Sequence, residues 1–120
     1  MNVMTIREAV PAALQVHTSV AFPPPAEGCA HILVRDNLNA PRFEKGDVLL
    51  ADLSRTEWRY DGIYVLELHG RQVVRYVQDR GSKGLYVYYL SAMELGQFIP
   101  KSELKVLAAI TAVNCTRRVA

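Results

Sequence analysis

Few side chains in this sequence are suited to catalysis, and their spacing decides what they can do. The histidines, His17, His31 and His69, are scattered with no acid placed to orient an imidazole as a base, so each reads as structural. Cys29 and Cys115 lie far apart without a CxxC or Cys/His pattern, which implies neither zinc ligation nor a redox pair. Both read as reduced, partly buried thiols, and no metal or other cofactor is expected. Ser54 and Thr56 follow an apolar run and read as the turn that ends it. DRGSKG, residues 79–84, has no helix after it and reads as a hairpin loop, not a phosphate cradle.

One stretch is framed differently. LVRDNLNAPRFEKGDVLLAD, residues 33–52, runs as a strand, breaks into a polar loop closed by Pro41, passes a Gly46-Asp47 turn and resumes as an apolar strand. Such a frame can present a nucleophile, yet the loop centres on Leu38, flanked by Asp36, Asn37 and Asn39. Neither asparagine amide is an activated nucleophile.

The elements that must position this loop are strands. Alternating runs rich in Val, Ile, Leu and Tyr predict them near Ala30 to Arg35, Asp47 to Leu53, Gly62 to Leu68, Arg71 to Gln78, Leu85 to Leu90 and Leu104 to Val113. The class is mainly β. Thr5 and Glu8 form a capping-box pattern that Pro11 limits to a short helix or arm, and the prolines of FPPPAEG make an extended connector. The organisation is therefore an arm and connector over 1–27 and one domain over 28–120, since 120 residues hold one ordinary core. His69-Gly70 suits a two-residue turn, which sets Leu68 opposite Arg71, Leu66 opposite Val73 and Tyr64 opposite Arg75. Arg75 is the odd member of the face it shares with Val73 and Val77, and the simplest reading lays it over Tyr64.

Composition excludes several classes. No apolar run approaches the length of a bilayer span and MNVMTIREAV is not a secretory signal, so the expected location is cytoplasmic with no membrane partner. On that reading the sequon Asn114-Cys115-Thr116 is a chance match. A net charge of +2 leaves no broad electrostatic footprint; Arg80, Lys83, Arg117 and Arg118 read as solvated loop and tail, and no direct nucleic-acid binding is expected.

The order strand, APRFEKGD, VLLAD, DGIYVLELHG, QVVRYV and a late IPKSELKVLAAITAV resembles the C-terminal domain of LexA and phage repressors, the self-cleaving Ser-Lys peptidase family, over roughly residues 28–113. The resemblance implies the LexA/signal-peptidase-like fold, several coiled antiparallel β-sheets. It places the family's serine on Leu38, the preceding Gly-Asp on Asp36-Asn37, the following methionine on Asn39 and the lysine base on Arg75. With Pro41 and Tyr64, these residues would line a former catalytic cleft. A Ser-Lys mechanism needs a hydroxyl and an amine able to lose its proton; leucine has no heteroatom and a guanidinium stays protonated. The expectation is a pseudoenzyme, with no catalytic residue.

The family's repressors also carry a DNA-binding unit before this domain and a small-residue-Gly cleavage bond. About 27 residues precede the domain here, and AEG and GCA do not match that bond. If Met1 is the natural start, a free-standing module is expected, acting by self-association or by pairing with a repressor-type regulator in prophage or stress-response control. A homodimer is expected, with Leu104, Val106, Ile110 and Val113 at or near its interface, because so apolar a strand should not remain an exposed edge. The alternatives are an active peptidase with a misassigned nucleophile, and a peptide or small-ligand binder that uses the old cleft.

Overall fold

The computed structural model describes residues 27–114. The expectations for Thr5, Glu8, Pro11, His17, the connector prolines, Cys115, Arg117 and Arg118 lie outside the described residues.

Seven strands form in chain order: β1 (Cys29–Leu33), β2 (Val48–Asp52), β3 (Gly62–Leu68), β4 (Arg71–Asp79), β5 (Leu85–Tyr88), β6 (Gln97–Ile99) and β7 (Lys105–Asn114). Short 3-10 turns lie at Gly81–Lys83 and Leu90–Leu95. All pairings are antiparallel, in the order β1-β2-β7-β3-β4-β5-β6. The mainly β class follows, and the six segments legible in the sequence are all strands. β6 is an addition. It has only three residues, between Gly96 and Pro100, too few for alternation to show.

The β3–β4 hairpin has the register set by its turn, with Leu68 opposite Arg71, Leu66 opposite Val73 and Tyr64 opposite Arg75. His69 and Gly70 both take positive φ, 52° and 75°, as a two-residue hairpin turn with the twist of its strands requires.

β7 organises everything else. Its first half, Lys105 to Ala109, pairs with β3, and its second, Ala109 to Asn114, pairs with β2. Ala109 stands opposite both Tyr64 and Asp52. Register shifts between Leu50 and Ala51 and between Val65 and Leu66 flank this exchange, and such bulges add the local twist that lets a ladder turn. The several sheets expected from the sequence are instead one continuous ladder among the described residues, in which β7 joins two halves, β1-β2 and β3-β4-β5-β6.

Each half encloses its own core, on opposite faces of the β3–β4 hairpin. Ile63, Val65 and Val74 face a cluster with Ile32, Val34, Phe43, Leu49, Ala51, Leu107 and Ala108. Tyr64, Leu66, Val73 and Val77 face the other, with Leu85, Val87, Val106 and Ala109. Phe43 reaches the first cluster from a loop and is 2% exposed. Burying such a side chain stabilises by about 1.5–3 kcal/mol and ties the loop down.

Candidate functional site

The loop from Val34 to Asp47 is built from its own polar side chains. Asp36 Oδ1 accepts the Leu38 amide at 3.0 Å, Asn37 Oδ1 accepts the Lys45 amide at 2.8 Å, and Asp47 Oδ2 accepts the Glu44 amide at 2.8 Å. Gly46, at φ 97°, donates to the Val34 carbonyl at 2.9 Å in a conformation that suits glycine. The Ala40-Pro41 bond is cis.

Asn39 joins this loop to the sheet. β5 pairs with β4 only from Tyr76 to Asp79, so the earlier part of β4 has no partner strand on that side among the described residues. The Val74 carbonyl opens onto this edge and accepts Asn39 Nδ2 at 3.1 Å. The same side chain's Oδ1 accepts the Leu90 amide at 3.2 Å, and the Leu38 carbonyl accepts the Ser91 amide at 2.9 Å. Asn39 is only 3% exposed. A buried amide at this point therefore serves where a methionine would offer only packing.

Arg75 adjoins this clamp. Its Nη1 also donates to the Val74 carbonyl, at 2.9 Å, and its guanidinium lies over the Tyr89 ring, 5.0 Å from the centroid. Burial lowers its pKa, while the charge of Asp36 and the Tyr89 ring oppose that shift. It remains a cation. The expectation that Arg75 covers Tyr64 is corrected: Tyr64 is 1% exposed, belongs to the core and donates its hydroxyl to the Tyr60 carbonyl at 2.7 Å. The two residues are opposite in register, but the guanidinium reaches Tyr89, nearer the solvent.

Asp36, Asn39 and Arg75 border one groove of about 120 Å³, with an apolar wall that includes Ile32, Val34 and Phe43. Leu38 is half-buried and held by its backbone, Asn37 and Pro41 are exposed, and Tyr64 is enclosed; none of them lines the groove. No lining side chain offers a hydroxyl or thiol. Ser91 is the hydroxyl residue the fold brings beside Leu38, and among the described residues no base shares a hydrogen bond with its Oγ. The groove can donate from Arg75, accept at Asp36 and hold apolar groups. Tyr89, Leu90 and Ser91 were not anticipated in this site, because no local pattern links them to a loop fifty residues earlier.

The apolar residues of β7 take places in the two cores. Val106 is buried in the Tyr64 cluster with Leu104 against it, and Ile110 and Val113 pack half-buried against the other cluster. Among the described residues there is no group of three or more His, Cys, Asp or Glu able to hold a metal, and no helix long and apolar enough to cross a membrane. No protein-family model matches the chain, and a search of curated proteins finds no match.

Proposed function

We propose that this chain is a non-cleaving member of the LexA/phage-repressor peptidase-like fold that acts by association, holding an extended segment of a repressor-type regulator in the groove between β1 and the open edge of β4. The observation that carries this reading is the Asn39 clamp. It draws the loop onto β4 beside Arg75, where a Ser-Lys pair would have to meet, while the positions themselves supply leucine and arginine. An extended peptide suits such a place because no strand among the described residues covers this part of β4 and the groove wall offers pockets for alternate side chains. Self-association is the second reading, favoured by Met93 and Leu95, 47% and 68% exposed beside the edge strand β6.

Two measurements test the reading. Intact mass after long incubation at alkaline pH should show a single species, whereas fragments split within residues 20 to 35 would overturn the inactive assignment. The double variant Leu38→Ser, Arg75→Lys should become labelled by a serine-directed fluorophosphonate when the natural sequence is not. Failure of a folded double variant to react would remove the resemblance as the basis of the reading. Sedimentation separates the two modes of association, since a monomer that persists to tens of micromolar excludes the dimer.

A further inference from the structure

The sheet beyond Tyr76 carries a feature the groove does not use. Alternation turns Leu85, Val87 and Ile99 toward the Tyr64 cluster, and therefore turns Tyr76 and Gln78 of β4, Tyr86 and Tyr88 of β5 and Phe98 of β6 to the opposite face. The rings form a continuous row. Tyr76 and Tyr88 are 5.4 Å apart at 22°, Tyr88 and Tyr86 are 5.4 Å apart at 27°, and Tyr86 and Phe98 are 5.0 Å apart at 50°.

This row is held in place. The Tyr86 hydroxyl donates to the Met93 carbonyl and accepts the Gly96 amide at 3.1 Å. Any Cβ at position 96 would come within 2.5 Å of the Tyr86 ring, so the glycine leaves the space that ring occupies. Cations stand over the row: Arg80 lies 4.6 Å from the Tyr86 centroid with Nε on Gln78 Oε1 at 2.6 Å, and Lys83 Nζ lies 5.9 Å from the Phe98 centroid. Burial raises the pKa of the Tyr76 hydroxyl at the other end, and the charge of Arg42 opposes that shift. The sole acid of β4, Asp79, falls on the other face by alternation and is paired with Lys101 at 3.4 Å. Phe98 is 45% exposed, and among the described residues β6 pairs with β5 alone.

We propose that this face binds single-stranded nucleic acid, with bases stacking along Tyr76, Tyr88, Tyr86 and Phe98 and phosphates meeting Arg80 and Lys83. An antiparallel sheet that shows aromatic rings beside cations is a platform for unpaired bases, because every base has a π-face and a guanidinium plane can stack as well. Duplex DNA hides the faces such a row would use. An acidic peptide would meet the cations and make no use of the row of rings.

Fluorescence anisotropy of a labelled oligothymidylate of about 12 nucleotides tests this, at about 50 and 200 mM salt. The expected result is saturable binding that weakens with salt and prefers the single strand to a duplex of the same length. Tyr88→Leu and Phe98→Leu, which keep apolar bulk, should each weaken binding about tenfold. Arg80→Gln with Lys83→Gln should flatten the salt dependence by about one to two ion equivalents. Arg71→Gln, on the opposite face of β4, should do neither. The proposal is overturned by no binding at about 100 µM protein in low salt, by equal affinity for duplex, or by leucine variants that bind as the natural sequence does. Displacement by polyglutamate as effective as by unlabelled oligonucleotide would likewise reduce the face to a plain cation patch.

Discussion

The two ends of β4 solve the same problem in different ways. From Arg71 to Arg75 no strand among the described residues covers its outer edge, and the Val74 carbonyl is met by the side chains of Asn39 and Arg75. From Tyr76 to Asp79 that edge is covered by β5, and the side chains are free to build a surface. An edge closed by side chains depends on one or two residues of particular type. An edge closed by a strand spreads the same requirement over a ladder and tolerates change at each position.

The contrast predicts unequal costs of substitution. Asn39→Leu should be the most damaging, at about 2–3 kcal/mol in urea unfolding, because it strands the Leu90 amide at a buried point and leaves the Val74 carbonyl to Arg75 alone. Gln78→Ala, on the strand-covered end, should stay within about 0.5 kcal/mol. Comparable losses from the two changes would dissolve the distinction. Gly96→Ala comes next: its Cβ would meet the Tyr86 ring at 2.5 Å and the Val87 carbonyl at 2.7 Å, and relief needs backbone movement. A loss of about 1–3 kcal/mol is expected, with a change in near-ultraviolet tyrosine dichroism that reports the displaced ring.

Arg75→Met should cost less than about 1 kcal/mol, since it removes a desolvated charge while Asn39 still serves the Val74 carbonyl. A loss as large as that of Asn39→Leu would make the guanidinium the true clamp. The smallest effect concerns acid. Hydrogen bonds from Ser54 hold the Asp52 carboxyl below its ordinary range, and the Gly81 amide, helped by Lys101, does the same for Asp79. A carboxylate whose pKa is depressed on folding contributes stability above its unfolded value, near about 4, and loses it as the pH falls through the folded value. Stability should therefore decline in acid, and Ser54→Ala should lower the stability above pH ~4 while flattening this decline in an acid titration followed by circular dichroism.

Much of the fold was legible because local rules carry it. The β3–β4 register followed from the His69-Gly70 pair, and long apolar alternation marked six strands. The groove was half legible: Asp36, Asn39 and Arg75 do meet, but Tyr64 is enclosed, because a tyrosine whose hydroxyl finds a carbonyl can be buried whole. The aromatic row was not legible at all. Its members come from three strands, and a net charge of +2 averages away the cations that gather beside it. The apolar late strand was expected at or near an interface, and its residues fill both cores.

The partner exchange at Ala109 has a kinetic side. β7 follows every other described strand in the sequence, yet it lies between β2 and β3, and Asp52 must wait for a residue 57 positions later, Ala109, to close its ladder. The hairpin β3–β4 closes through a two-residue turn and can form in microseconds, whereas the joining of the two half-sheets requires distant segments to meet, which slows folding in proportion to sequence separation. Until that strand inserts, the apolar faces of both halves stand open together. On a ribosome, where residues emerge in order, the chain would therefore spend its vulnerable interval as two unsealed halves, and a chaperone's best opportunity would fall just before residues 105–114 become available.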